Sequence, residues 1–393
     1  MRRLFFALGL ALLITSIPAS AQSPLTTRLD SFFRTLATNQ PGIAVSIQQH
    51  GSVIYQNTAG LTNPGSGLSN PNPGGGAAEA ANTPIDSTTN FRMASVTKQF
   101  TAMAILLLEK DHRLTVDDPI GHWLPELPKD IGNRVLIRHL LTHSSGIEDY
   151  ESLIPDTQTT QVLDKDVLDL LSRHDTTYFP PGTRFRYSNS GFCLLALIIE
   201  RAAGQSYAEF LRARIFLPLH MDHSTVYEKG NPVFHRAMGF AKNSTGAIIP
   251  RDQSVTSATK GDGGVYTSLS DYRRWITGLQ QNRLIDLPAT LNRLRFAIRN
   301  SSEEASSARR ATTSPWYAAG WFITGTAPRV LYHSGSTCGF ENQVIWMPED
   351  EWSIVYFSNL ADNTPPITKI LSIIDDVGAS KLIRILTLEE QTR

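Results

Sequence analysis

Hydrophobic positions change their spacing several times along this chain, and each change marks an element. Arg2 and Arg3 precede an apolar run from Leu4 to Ile17 that ends in Ala19-Ser20-Ala21. That is the charge, core and small-x-small order of a cleavable secretory leader over residues 1–21. The run is shorter than the roughly 20 residues a membrane span needs. Residues Ser23 to Thr38 carry apolar positions at helical spacing. Gly42 to Gln48 and Val53 to Thr58 alternate instead, as two strands of a hairpin turned at His50-Gly51. Thr62 to Pro84 is crowded with Gly, Pro, Asn and Ser and reads as a loop.

From Phe91 to about Tyr272 the pattern is mostly helical, with long connections. Ala102 to Leu108 and Phe192 to Ile199 are apolar all round, so they predict buried helices. Strand-like segments then return at Ala319 to Ile323, Val330 to Ser334, Gln343 to Met347 and Ser353 to Ser358. A helix from Ile367 to Leu386 closes the series. Strands at both ends with helices between them imply one sheet assembled from distant segments.

Composition adds little beyond class. The chain has 393 residues, 41% hydrophobic and 18% charged, enough for a large core. Basic and acidic residues number 36 each, so no polyanion partner such as nucleic acid is indicated. Loss of a leader carrying Arg2 and Arg3 leaves 34 basic against 36 acidic residues. Cys193 and Cys338 are the only thiols. An exported chain permits a disulfide, and spacing alone leaves pairing open.

The chemistry concentrates at Ser95-Val96-Thr97-Lys98, just before the first buried helix. A serine and a lysine three residues apart share a helix face. Burial of the ammonium is expected to lower its pKa and fit it to act as a base on the hydroxyl. The helix N-terminus beneath offers free N–H groups to developing negative charge. Ser-x-x-Lys arises by chance about once or twice in a chain this long. A second copy, Ser257-Ala258-Thr259-Lys260, runs into Gly261-Asp262-Gly263-Gly264 and reads as a loop. Ser95 is therefore taken as the nucleophile and Ser257 as a coincidence. Tyr187-Ser188-Asn189 follows the turn Pro180-Pro181-Gly182 and opens the second buried helix. His333-Ser334-Gly335 ends a strand-like segment. Singly, each has a plainer role: Ser95 and Asn189 as helix caps, Tyr187 as an edge anchor, His333 as a hydrogen-bonded strand residue.

Together and in this order, the three motifs resemble the serine β-lactamase and penicillin-binding protein superfamily. The nearest branch holds class C β-lactamases, D-aminopeptidases, D,D-carboxypeptidases and related esterases. Ile137 to Gly146, with Leu140-Leu141-Thr142-His143-Ser144-Ser145-Gly146, and Gly261 to Ser268 are similar to further signature segments of that family. The resemblance implies a mixed α/β (α+β) fold of β-lactamase/transpeptidase type: an antiparallel sheet flanked by helices beside an all-helical subdomain. It divides residues 22–388 into a sheet part, about 22–90 and 273–388, and a helical part, about 91–272. Residues 62–84 become an insertion, since the family's connection is usually shorter. It implies an acyl-enzyme mechanism with Lys98 and Tyr187 taking the proton from Ser95. Asn189 orients Lys98 and the substrate amide. His333, Ser334 and Gly335 line the substrate site, and the backbone N–H groups of Ser95 and Ser336 form the oxyanion hole.

His333 departs from the lysine usual in β-lactamases. A histidine makes a weaker, pH-dependent anion contact, which favours esters or D-amino-acid peptides over β-lactams. Two readings stay beside this one: a class C-like β-lactamase, and a non-catalytic penicillin-binding sensor or scaffold. The second has no need of Ser95, Lys98 and Tyr187 together. No Gly-x-Ser-x-Gly elbow, His-Glu-x-x-His or phosphate loop occurs. His139/His143 and His220/His223 lack a third ligand at metal spacing, so neither metal nor cofactor is expected. The expected partner is a small-molecule or peptide substrate, and the expected location is the periplasm or medium. N-terminal sequencing of the exported protein should begin at Gln22. A membrane-bound chain that retains Met1 would overturn that expectation.

Overall fold

The computed structural model describes residues 23–64, 82–295, 315–324, 329–362 and 364–376. The leader, the middle of the 62–84 segment and the end of the last predicted helix lie outside the described residues. Twelve strands are described: β1 Ile43–Gln49, β2 Ser52–Ala59, β3 Asn90–Arg92, β4 Thr225–Val226, β5 Phe240–Lys242, β6 Ile248–Pro250, β7 Val265–Ser268, β8 Trp316–Ala318, β9 Trp321–Ile323, β10 Leu331–Thr337, β11 Phe340–Met347 and β12 Trp352–Ser358. The longer helices are α1 Pro24–Phe33, α2 Lys98–Lys110, α3 Asp164–Leu171, α4 Asn189–Ala203, α5 Leu269–Gln280 and α6 Thr364–Asp376.

The main sheet has seven antiparallel strands in the order β2-β1-β12-β11-β10-β9-β8. The N-terminal hairpin thus pairs with the last strand, Ile43 opposite Ser358 and Gln49 opposite Trp352. Successive β1 residues from Ile43 to Gln48 are buried whichever face they point to, so both faces of the sheet are covered there. Helices α1 and α6 pack on one another, with α1 also on β2, and α5 packs on β1 and β12. Ser23 caps α1 by accepting from Thr26 N, with Pro24 at the first helical position.

Helix α2 is buried from Lys98 through Leu108, as its all-round apolar sequence predicts. It is locked to α5 by Gln99, whose Oε1 accepts from Tyr272 Oη at 2.6 Å and Trp275 Nε1 at 3.2 Å. The Phe100 and Trp275 rings lie 4.6 Å apart. Helix α4 packs against the other side of α2. The helix that Lys98 opens therefore packs against both the sheet-bound α5 and the second motif's helix.

Two features differ from the sequence expectation. The 91–272 stretch is not only helical: β3, β7 and β4 form a small sheet, and β5 and β6 a hairpin. The expected strand 319–323 is a hairpin, β8–β9, turned at Ala319-Gly320. Both turn residues have positive φ, 50° and 83°, the conformation that suits a two-residue hairpin. An alanine at the first position concealed it. Cys193 and Cys338, whose pairing spacing left open, are both free. The described ends of the 62–84 segment meet: Thr62 N donates to Thr83 O at 2.9 Å and Thr83 N to Thr62 Oγ1 at 3.0 Å.

Strand β10 lies directly on the turn that carries Ser95. A Cβ on Gly335 would collide with the Met93 carbonyl oxygen and crowd Ala94. Gly335→Ala should therefore cost about 1–3 kcal/mol in denaturant unfolding, the usual cost of overpacking. It should also depress reaction at Ser95. Wild-type stability would show that β10 moves away freely.

Candidate active site

Ser95 sits in a 3-10 turn, Ala94–Thr97, that runs straight into α2. Ala94 just before it has φ of 48°, a left-handed conformation that costs a non-glycine residue about 1–2 kcal/mol. The close approach of β10 and the start of α2 hold it there. Lys98 opens α2 and is fully buried. Its ammonium donates to Ser95 Oγ at 3.1 Å, Asn189 Oδ1 at 2.8 Å and the Asp262 carbonyl at 3.0 Å. All three N–H bonds of the ammonium are spent.

This corrects the expected pKa. Burial does push the Lys98 pKa down, and it is the largest single influence. Tyr187 and the Asp262 carboxylate, with the polar contacts, outweigh it, and the pKa rises above the usual 10.5. Lys98 rests as a charged ammonium, not as a free amine.

Asn189 is the first residue of α4. Its N–H donates to Asp149 Oδ2 at 2.5 Å and its Nδ2 to Glu151 Oε1 at 3.2 Å, which turns Oδ1 toward Lys98. Burial raises both carboxyl pKa values, and Asp149 adds to the rise at Glu151. Tyr187 precedes the cap residue Ser188. The Lys98 ammonium lies 5.0 Å from its ring centroid. The Tyr187 hydroxyl is buried and has no hydrogen-bond partner of ordinary length.

The second Ser-x-x-Lys segment forms the wall behind Lys98. Ser257 Oγ accepts from Ser254 N at 2.8 Å, while Lys260 pairs with Glu200 at 2.8 Å, so the two side chains serve different partners. Arg92, on the strand leading to Ser95, donates to Ser257 O at 2.7 Å. Asp164, fully buried on α3, accepts from Lys260 N at 2.9 Å and Gly261 N at 3.1 Å. These bonds hold the loop whose next carbonyl, at Asp262, meets Lys98. The Asp262 carboxylate accepts from Tyr150 Oη at 3.1 Å.

The third motif lies on β10. Ser336 is exposed, Ser334 half-buried, Gly335 buried. His333 is buried: Nδ1 donates to the Ser334 carbonyl at 2.6 Å and Nε2 faces Tyr317 Oη at 3.2 Å. Its ring lies 6.2 Å from that of Tyr187. A direct bond from His333 to a substrate anion would require the ring to give up one of these contacts. Among the described residues no group of three His, Cys, Asp or Glu side chains is placed to hold a metal ion.

The sequence reading missed Asp149, Glu151 and Asp164, and gave no role to Asp262. Only Asp262 carried a signal, since it lies in the Gly261 to Ser268 signature. The others meet the site across 38 to 97 residues of chain.

Comparison with known proteins shows the family and the fold. A sequence model of the family described as Beta-lactamase matches residues 29–377. The chain is 31% identical over 299 residues to penicillin-binding protein 4* of Bacillus subtilis (strain 168), covering 72% of this chain. It spans 63% of that relative's length. Its fold is similar to that of the octameric penicillin-binding protein homologue from Pyrococcus abyssi, with TM-score 0.68 and 23% identity over 90% of this chain and 76% of the other. It is similar too to D-amino acid amidase from Ochrobactrum anthropi SV3, with TM-score 0.68 and 22% identity over 90% of this chain and 98% of the other.

Asp164 gives a pH signature. Burial pushes its carboxyl up to about 7 from 3.8, against the opposing pull of the Lys260 and Gly261 N–H groups. Between those values the folded state holds a proton that the unfolded state has lost, so this group's contribution to stability falls as pH rises through the window. Three pH units correspond to about 4 kcal/mol. Asp164→Asn should gain on the wild type by up to about that amount between pH 4 and pH 8. A difference in unfolding free energy that is flat with pH would sink the assignment.

Proposed function

The chain belongs to the beta-lactamase family, and on that premise we propose that it is a serine hydrolase that forms an acyl-enzyme on Ser95. The observation that carries the reading is the buried Lys98 ammonium, donating at once to Ser95 Oγ, Asn189 Oδ1 and the Asp262 carbonyl. A charged Lys98 changes the proton route drawn from sequence. The reactive form carries its proton vacancy on Tyr187 Oη, beside the ammonium, and that oxygen takes the Ser95 proton. Ser95 Oγ bonds to the acyl carbon. Tyr187 passes the proton to the leaving amine or alkoxide as the acyl bond breaks. In the second half Tyr187 takes a proton from water as the water oxygen bonds to the acyl carbon; the bond to Ser95 Oγ then breaks, and Tyr187 returns the proton to Ser95. In this reading the N–H groups of Ser95, on the 3-10 turn, and Ser336, on β10, receive the oxyanion. Each such donor is worth about 3 kcal/mol in other enzymes.

The substrates we propose are small esters or amides, of the esterase or D-amino-acid peptidase/carboxypeptidase kind. Two features support this over efficient β-lactam hydrolysis. His333 has both ring nitrogens engaged and offers no fixed cation to a substrate carboxylate. A similar fold is found in an enzyme named for D-amino acid amides. We place the mature protein in the periplasm or medium, after cleavage near Ala21.

Ser95→Ala should abolish fluorophosphonate labelling and turnover with folding intact, whereas Ser257→Ala should label normally. The reverse pattern would identify the other motif. Tyr187→Phe should slow turnover at least ~100-fold, the usual scale of general acid–base catalysis, and Lys98→Met should lose most of it. A panel of p-nitrophenyl esters, D-aminoacyl anilides and a chromogenic cephalosporin tests the substrate class. Cephalosporin hydrolysis that outpaces both other groups would move the protein to the β-lactamase reading. No turnover and no labelling would move it to the non-catalytic one.

A further inference from the structure

His143 belongs to the Thr142-His143-Ser144-Ser145-Gly146 segment and has no part in the proton route above. It is fully buried, in a left-handed backbone conformation with φ of 51°. That conformation brings both its backbone and its ring to the segment carrying Tyr187. Its carbonyl accepts from Arg186 N at 2.9 Å. Its Nδ1 accepts from Ser188 N at 3.2 Å. Its ring lies on the Tyr187 ring, centroids 4.1 Å apart and planes 32° from parallel. One residue therefore grips the chain on each side of the tyrosine and the face of the tyrosine itself. The imidazole is held in turn by Tyr317, 4.4 Å away, and Phe192, 5.2 Å away. Tyr317 Oη faces His333 Nε2, so the stack runs from Tyr187 to the third motif.

The ring's chemistry suits this place. Burial, with the Lys98 charge and then His333, drives the His143 pKa well below 6.5. A neutral ring keeps Nδ1 as an acceptor for Ser188 N–H and puts its proton on Nε2, which is buried without a partner. A protonated ring would lose the acceptor and add a second positive charge beside Lys98.

We propose that His143 is a positioning residue that fixes the Tyr187 ring and hydroxyl against Lys98 by gripping residues 186–188 and stacking on the tyrosine. This rests on the reading of Tyr187 as the proton carrier. An approach error of about 1 Å can cost 100-fold in rate, so the effect should appear in the chemical step and not in binding.

The test is inactivation of the full mature chain by a fluorophosphonate probe, resolved into maximal rate and half-saturating concentration. His143→Phe keeps a ring but removes the acceptor; His143→Asn keeps an oxygen near Nδ1 but removes the ring. His143→Phe should lower the maximal rate by about 100-fold and leave the half-saturating concentration within about twofold. His143→Asn should recover part of the loss. If His143→Phe fails to fold by circular dichroism, His143→Asn alone must show the same split. Combined with Tyr187→Phe, either change should add little further loss, because a misplaced hydroxyl cannot matter once it is absent. Losses that multiply in the double variant would overturn the proposal, as would a rise in half-saturating concentration at unchanged maximal rate. Wild-type rates in Tyr187→Phe alone would defeat the proton-carrier reading, and this inference with it. A slow Tyr187→Phe beside an unaffected His143→Phe would defeat only the role of His143.

Discussion

A single ammonium group, fully withdrawn from water, sets the terms for the rest of this structure. Burying a charge without partners costs several kcal/mol or more. Lys98 meets that cost with three acceptors drawn from residues 95, 189 and 262. The first is local, but the others lie 91 and 164 residues away. The start of α2, the start of α4 and the loop before β7 must therefore converge on one atom. Much of the surrounding structure secures that convergence. Gln99 ties α2 to α5, Asp149 holds the first N–H of α4, and Asp164 fastens the 260–262 loop.

The same constraint accounts for the pKa that sequence reasoning got wrong. Burial was legible, because Ala102 to Leu108 is apolar throughout. Its effect on Lys98 has the expected sign and is the largest single influence. What local sequence could not supply was the company the ammonium keeps. Tyr187 and Asp262 are distant in the chain, and together with the polar contacts they outweigh the desolvation. Legibility followed range elsewhere too. The Ser95–Lys98 pair was readable because i and i+3 meet on any helix. The β1–β2 hairpin and the paired ends of the main sheet were readable from period-two alternation. Short β3, β4 and β7 gave no such run. The β8–β9 turn hid behind an alanine in a conformation usually left to glycine or asparagine.

The second Ser-x-x-Lys shows why a motif needs its surroundings. Its serine and lysine have the right spacing, but the 3-10 turn Val255–Ala258 ends before the lysine, Gly261 and Gly264 follow, and no α-helix continues it. A Cβ at Gly261 would strike the Phe192 carbonyl, and one at Gly264 the Lys260 backbone. The glycines serve close packing of the loop against α4, and that packing delivers the Asp262 carbonyl to Lys98. The segment set aside as coincidence is thus the back wall of the site: its lysine is spent on Glu200 and its backbone is spent on the first motif.

The two flanks of the site differ in kind. Behind Lys98 stand carboxylates and carbonyls, Asp149, Glu151 and Asp262, which hold positive charge in place. On the strand side stand rings: Tyr187, His143, Tyr317 and His333, in contact one after another. His143 is kept neutral by burial and by Lys98, and His333 spends both nitrogens inside the protein. Lys98 is the buried cation at this site, and its ammonium is committed to Ser95, Asn189 and Asp262. The division of labour leaves the buried charge to hold Ser95 and Asn189 in place, and the rings to shape the space beside them.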